Sequence, residues 1–361
     1  MQTAALSARL VRHAPVSQTP FALPAPADAD APSILIVRLS ALGDIVFASS
    51  MLDALRKRWP GARISWLALA GFAGILDGDP RIDEVIRVPA TLFKSPAALL
   101  RLRRELRLRY FDWVFEVQGL FKSRLLARLA GGFRVGFRSK EPAQFWMHRL
   151  LDKGGMADDI ASEYRHFAET VSGEHAGPPR LPIDDAMRAT IAGKRAALGL
   201  DRFIAICPFT TRPQKHWPEA YWPELVRRLA ELGLGPCVMF GGPGDREAAA
   251  RIAAATAAPL VNLVGETRLT ELPAWLAAAD LGIGVDTGLT HIGIAVRTPM
   301  IALFGSTCPY RQGADSPLRV MYDALPCAPC RRHPTCDGRF DCMRGLVPAR
   351  VATAAKQLLG R

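Results

Sequence analysis

The pattern that most limits what this chain can become is an alternation that runs through twice. Short apolar, β-rich stretches are each followed by a segment with helical spacing, first over 34–118 and again over 203–305. Such alternation points to parallel sheets, because a strand that returns parallel to its neighbour needs a crossover, usually a helix. The first run predicts strands at 34–39 (ILIVRL), 64–69, 84–88 and 113–118. The second predicts them at 203–207, 236–240, 260–265, 281–285 and 300–305. Helices are expected at 96–109, 219–232, 245–257, 270–279, 288–296 and 348–359. Another follows the first strand, where Ala48, Leu52, Leu55 and Trp59 share a face.

The two runs are separated by SGEHAGPPRLPIDD (172–185), a Gly/Pro linker, and one helix that ends near LGL (198–200). The domain reading is therefore 32–175, a linker and helix over 176–199, and 200–347, with a closing helix in 348–361. Residues 1–31 are rich in Ala and Pro and lack a continuous apolar core, so they read as a disordered leader and not an export signal. The fold class is α/β: two Rossmann-like, doubly wound parallel-sheet domains facing a cleft. In such sheets ligands bind beyond the carboxyl ends of the strands.

Hydrophobic residues make up 49% of the 361, ample for two cores, yet no apolar run reaches the roughly 18 residues of a membrane span. The expected location is the cytoplasm. Lys and Arg exceed Asp and Glu by 46 to 34, a formal charge of +12. That excess is either an Arg-rich solvated surface or the footprint of an anionic partner: a nucleotide sugar, an acidic lipid surface or a nucleic acid. No platform of interleaved aromatic and basic residues supports the nucleic acid. The helix at 96–109 sets Leu99, Leu102 and Leu106 on one face and Arg101, Arg103, Arg104, Arg107 and Arg109 over much of the rest. It is either a core helix with a solvated basic face or one resting on anionic head groups.

Four turns at strand ends carry candidate chemistry. In SALGDIV (40–46), Asp44 opens a helix, where an acid commonly caps backbone N–H groups. Its carboxylate repels phosphate but suits the deprotonation of a sugar hydroxyl, and Gly43 lets a backbone pass close to a ligand. After the strand ending at Cys207, the loop offers Thr210, Thr211, Arg212 and Lys215, hydroxyls and cations that suit a diphosphate. FGGPGDRE (240–247) is glycine-rich without the dinucleotide fingerprint; Asp245 either caps a plain turn or accepts ribose hydroxyls. In GVDTGLTH (284–291) a strand runs into a helix start, a ready anion site. There Gly288 allows close approach, Thr287 and Thr290 offer hydroxyls, Asp286 holds sugar hydroxyls or orients a cation, and His291 is structural or beside the phosphates.

Of seven cysteines, Cys207, Cys237 and Cys308 read as scattered free thiols. Cys327, Cys330, Cys336 and Cys342 cluster with the spacing C-x2-C-x5-C-x5-C. Free thiols, a structural zinc or iron site, and disulfides are the states open to them.

Taken together, RLSALGD, VQGLFKS, TTRPQKHWPEAYW and GVDTGLTH, in this order over about 34–320, resemble the ADP-heptose:lipopolysaccharide heptosyltransferases of glycosyltransferase family 9. The TTRPQKHWP form is similar to the branch that adds the first heptose to Kdo of the inner core. The resemblance implies a GT-B fold with the acceptor on the first domain and ADP-heptose on the second. It implies Asp44 as general base; Thr210, Thr211, Lys215, Asp245, Asp286, Thr287, Gly288 and His291 at the donor; and Gly43, Lys122 and Arg128 toward an anionic acceptor, Kdo–lipid A. It further implies an enzyme peripheral on the inner face of the cytoplasmic membrane; because Lys215 and backbone N–H groups can carry the charge, no cofactor or divalent metal is expected to be required for catalysis. The cysteine cluster departs from the first-heptose pattern. Similar tails occur in members that add a second heptose, and iron-binding cysteines go with members that modify proteins. The acceptor thus stays open among these, another nucleotide sugar stays open as donor, and the reading outside enzymes is a basic membrane-surface binding protein.

Overall fold

The computed structural model describes residues 21–156, 158–159, 161–307, 309, 317–330 and 333–360. Among the described residues twelve strands form two sheets, all parallel. The first holds β1 (Ser33–Val37), β2 (Arg63–Leu69), β3 (Glu84–Val88), β4 (Trp113–Glu116), β5 (Phe133–Phe137) and β6 (Arg149–Leu151), in the order β3-β2-β1-β4-β5-β6. The second holds β7 (Ile204–Cys207), β8 (Cys237–Met239), β9 (Leu260–Asn262), β10 (Leu281–Val285), β11 (Met300–Phe304) and β12 (Leu318–Tyr322), in the order β12-β11-β10-β7-β8-β9. Each is the Rossmann order, with its topological switch point between β1 and β4 in one sheet and between β7 and β10 in the other.

In the first domain the connections carry α1 (Leu42–Ala48), α2 (Met51–Arg58), α3 (Ala70–Ala73), α4 (Pro96–Arg107), α5 (Phe121–Ala130) and α6 (Ser162–Ser172). Then come α7 (Asp185–Ala197), α8 (Tyr221–Glu231), α9 (Arg246–Ala254), α10 (Leu272–Ala277), α11 (Gly288–Ala295), α12 (Asp341–Arg344) and α13 (Pro348–Leu358). The central strands are nearly all apolar because both faces are covered: β1, β4, β7, β10 and β11 are almost wholly buried, with Ser33 opening β1 and Glu116 closing β4.

Three strands escaped the sequence reading, β5, β6 and β12. β6 and β12 are edge strands, and all three carry an arginine, so none shows the unbroken apolar signature of the central strands. The single helix expected after β1 is two helices. Ser49 and Ser50 turn their hydroxyls back onto the carbonyls of Val46 and Phe47, an alternative to the helical ladder that breaks it there.

The expected leader reaches too far. Residues 1–20 lie outside the described residues, but 21–31 lie against the first domain. Trp113 Nε1 donates to the Pro24 carbonyl at 3.1 Å, Ala27 N donates to Asp112 at 2.8 Å, and Phe21 and Leu23 pack on the core. The closing helix α13 is part of the second domain's core, with Val351, Ala352, Ala354 and Ala355 buried alongside Val226 and Leu229 of α8. Helix α7, after the linker, is tied to that domain by Lys194, whose Nζ lies 2.8 Å from Glu271.

The two domains meet where α1 and α11 pack against each other across the switch points. Phe47 of α1 lies against the His291 ring at 4.4 Å between centroids. A single apolar cluster runs through both domains here, with Ile45 and Phe47 on one side and Leu289 and Ile292 on the other. Among the described residues no helix is long and apolar enough to cross a membrane.

Candidate active site

The carboxyl ends of β1, β7 and β10 open onto one cleft of about 510 Å³ between the domains. Gly43, Asp44 and Phe47 line it from the first domain, and Thr210, Thr211, Lys215, Asp286, Thr287, Gly288 and His291 from the second. Switch points in both sheets therefore face each other, and sequence reasoning about strand ends is enough to explain why these residues share a site.

Asp44 sits in the first turn of α1. Its Oδ2 accepts from the Ala41 backbone N at 3.2 Å, the capping contact, and lies 2.7 Å from Arg38 Nη2. The Asp44 side chain is 44% exposed, while Arg38 is 8% exposed. Arg38 donates through Nη1 to the Val117 carbonyl at 3.0 Å and lies over the Tyr164 ring at 5.6 Å. Burial opposes its charge, yet the nearby Tyr164 and Asp44 raise its pKa further. The sequence reading placed Arg38 inside a strand. The signal for it was a charged residue ending a buried apolar run, six positions before an acid.

Facing it, Asp286 is buried and fully engaged. Its Oδ2 lies 2.5 Å from Lys215 Nζ and accepts from Thr307 Oγ1 at 2.7 Å; its Oδ1 lies 3.1 Å from His291 Nε2. Burial pushes against the carboxylate, but the hydrogen bonds and charges of His291 and Lys215 hold it well below the usual carboxylate range. Thr307, which follows β11, was missed because nothing local marks it. Thr210 donates to the Asp286 backbone carbonyl at 3.3 Å. Thr290 does not offer its hydroxyl to the cleft as expected: it is fully buried and donates to the Val285 carbonyl at 2.7 Å.

The two glycines serve the domain contact. A Cβ on Gly43 would stand 2.4 Å from His291 Cδ2, and one on Gly288 would stand 2.7–2.9 Å from Leu42 Cδ2, Cγ and Cβ. Each glycine belongs to one domain and makes room for a side chain of the other.

Three expected site residues lie apart from the cleft lining. Asp245 accepts from the Gly242 N at 2.8 Å and closes its own turn as a cap. Lys122 is exposed and holds its Nζ 5.0 Å from the centre of the Phe93 ring. Arg128 lies six residues further along α5, about 9 Å down the helix axis, in its last turn and beside other cations, Arg107 and Arg134. The neighbouring Arg124 is wholly buried and donates to the carbonyls of Phe137, Glu141 and Pro142, which orders the loop after β5.

The four clustered cysteines lie near one another, from exposed Cys327 to buried Cys342: burial first and the neighbouring cysteines next push up the thiols of Cys330 and Cys342. Among the described residues no group of three or more His, Cys, Asp or Glu side chains is placed to hold a metal ion. Cys207 and Cys237 are buried thiols whose pKa is pushed up to about 12, which keeps them protonated and inert. Cys308 lies outside the described residues.

Comparison with known proteins bears on this geometry. The chain is 30% identical over 365 residues to lipopolysaccharide heptosyltransferase 1 of Pseudomonas aeruginosa, covering 90% of this chain and 98% of that protein. It is 28% identical over 291 residues to lipopolysaccharide heptosyltransferase 2 of Escherichia coli, covering 76% of this chain and 83% of that one. A structure of E. coli heptosyltransferase WaaC with ADP-2-deoxy-2-fluoro heptose superposes with a TM-score of 0.69 at 25% identity, over 90% of this chain and 99% of that one. The family model described as glycosyltransferase family 9 (heptosyltransferase) matches residues 99–339. With two Rossmann-type domains of GT-B form and a site at their facing switch points, this chain is a glycosyltransferase and belongs to glycosyltransferase family 9, the heptosyltransferases.

Proposed function

We propose that the chain transfers heptose from ADP-heptose to the Kdo of lipid A with inversion, at the inner face of the cytoplasmic membrane. The observation that carries this reading is one half-exposed carboxylate, Asp44, set in a cleft whose other wall presents Lys215 and the N-terminus of α11. The related proteins named as lipopolysaccharide heptosyltransferases, and the WaaC structure holding an ADP-heptose analogue, support the choice of donor and acceptor.

The chemistry follows from who is free to act. Asp286 also lines the cleft, but Lys215, His291 and Thr307 grip it, so it is a counter-ion and not a nucleophile. Among the described residues that line the cleft this leaves one carboxylate for the acceptor, which favours a single displacement over a covalent intermediate. Both Asp44 contacts run through Oδ2, so Oδ1 is the atom for the acceptor hydroxyl. Asp44 takes that proton as the new C–O bond forms on one face of the heptose and the bond to the diphosphate breaks on the other. Negative charge grows on the departing ADP, where Lys215, Thr211 and the backbone N–H groups at the start of α11 await it. Lys215 must then share its ammonium between Asp286 and phosphate. These donors supply the positive character, so turnover should persist in EDTA.

The test is mass spectrometry of Kdo–lipid A incubated with ADP-heptose: a single added heptose in the parent and its loss in Asp44→Asn are expected. No product from an ADP-binding protein would sink the acceptor assignment. The likeness to heptosyltransferase 2 keeps a second reading, addition of the second heptose, which an already heptosylated acceptor distinguishes.

A further inference from the structure

We propose that the rim of the first domain beside the cleft is a docking surface for an anionic lipid bilayer; this rests on the lipid acceptor proposed above. Segments 92–94 and 120–122 follow β3 and β4, so in a parallel sheet they emerge on the same edge as Asp44, and segment 144–146, on the way from β5 to β6, joins them through the contact of Trp146 with Phe121. The link is direct: Leu39 N donates to Gln118 Oε1 at 2.8 Å, and Arg38, the partner of Asp44, donates to Val117.

On this rim stand side chains that a water-facing surface does not need. Phe145 is 83% exposed, Leu120 43% and Phe121 42%. Single exposed apolar residues are ordinary, but these share a base. The Phe121 and Phe145 rings lie 5.5 and 5.7 Å from that of Trp146, which is half-buried and packs on the core together with Phe93. The rings are thus anchored from below and open above. Exposed Lys94 and Lys122 stand on two of these segments, with Lys122 over the Phe93 ring, and exposed Lys140 lies in the loop that leads from β5 to the third, with Glu141 beside it and Arg138 already paired with Asp152.

Aromatic side chains flanked by lysines match the head-group region of a bilayer, where rings enter the acyl boundary and ammonium groups meet lipid phosphates. Docked this way, the mouth of the cleft meets the depth at which a lipid-linked sugar presents its hydroxyl, and the second domain stays in water with the soluble donor.

Co-sedimentation of the full chain with phosphatidylglycerol/phosphatidylethanolamine vesicles, without donor or acceptor, tests this. The parent should bind, less in high salt and less to phosphatidylcholine vesicles. Phe121→Ser with Phe145→Ser should weaken binding at least about tenfold, and Lys94→Glu with Lys140→Glu should remove the preference for phosphatidylglycerol. Both double variants should keep the thermal shift given by ADP, which shows that they are folded. A parent that ignores anionic vesicles, or variants that bind them as the parent does, would overturn the docking surface. Because no acceptor is present, a protein that binds vesicles but fails to modify Kdo–lipid A loses only the acceptor assignment.

Discussion

Two turns in this molecule set an acid and a glycine at the start of a helix, one in each domain, and the two acids end in opposite conditions. Asp44, after β1, is 44% exposed and held at one oxygen by Arg38 and the Ala41 N–H. Asp286, after β10, is 8% exposed and held at both oxygens by Lys215, His291 and Thr307. One is steered and left available; the other is saturated and organises its neighbours. What separates them is the surrounding wall. Asp44 lies on the helix itself, on the cleft side, whereas Asp286 lies one residue beyond a buried strand with cationic and hydroxyl partners converging on it. An acid at a strand end is therefore not a role in itself. The number of its oxygens already spoken for decides what it can do.

The sharpest way to break this contrast is to neutralise each acid in turn. Asp44→Asn should lower kcat by about 10²–10⁴-fold, the usual contribution of a general base, while the thermal shift given by ADP stays at the parent value. Equal losses in ADP binding and turnover would place Asp44 in the donor site instead. Asp286→Asn should act mainly on stability, costing about 3 kcal/mol because it leaves buried partners unpaired, with a lower Tm and weaker ADP binding because Lys215 loses its tether. The pH sign follows from the lowered pKa of Asp286. Its stabilisation is complete above the unfolded value of about 3.9 and fades as pH falls through the folded value. The parent should lose Tm steadily in acid, below about pH 4, and Asp286→Asn should show a flatter profile over that range. A parent and variant with parallel acid profiles would show that this carboxylate contributes nothing through its charge.

The glycines come next in size. Gly43→Ala meets the His291 ring and Gly288→Ala meets Leu42, each across the domain contact and each well inside normal separation. Overpacking of this kind costs about 1–3 kcal/mol. Here part of that cost can be relieved by parting the domains, so KM for the donor should rise and small-angle scattering should report a wider molecule. A variant with parental KM and parental dimensions would mean that the two helices do not meet in solution.

Much of this was legible before any coordinates. The doubled alternation gave two parallel sheets with Rossmann connections, and the strand-end turns gave nearly every second-domain residue of the cleft. The hidden parts share a cause. Arg38 reads as strand because its neighbours are apolar, and its charge is met by a carboxylate six residues on, a carbonyl just beyond β4 and the Tyr164 ring. Thr307 reaches Asp286 from a different strand. Gly43 reads as room for a ligand, whereas the atom that would strike its Cβ belongs to His291, in the other domain. Local pattern reports what a segment does within its own element. Contacts made only when separate elements or the two domains meet leave no periodicity to read. The edge strands β6 and β12 fail for the complementary reason, since they are partly exposed and each carries an arginine, whereas the edge strands β3 and β9 are legible from their own apolar residues.

The smallest expected effect addresses the acid whose reading changed most. Asp245 receives the Gly242 N–H and caps the turn that leads into α9, and it does not line the cleft. Loss of a cap costs about 1 kcal/mol, so Asp245→Ala should lower Tm by a few degrees while ADP affinity, measured by calorimetry, stays within about twofold of the parent, a difference of less than half a kcal/mol. Asp245→Asn, which still accepts the N–H, should recover most of the lost Tm. If instead ADP binding fell about tenfold in the alanine variant, with the asparagine variant failing to rescue it, the carboxylate would be reaching the ribose when the donor is bound. The turn after β8 would then be a third strand end at work in the site, and the cap seen here its resting state.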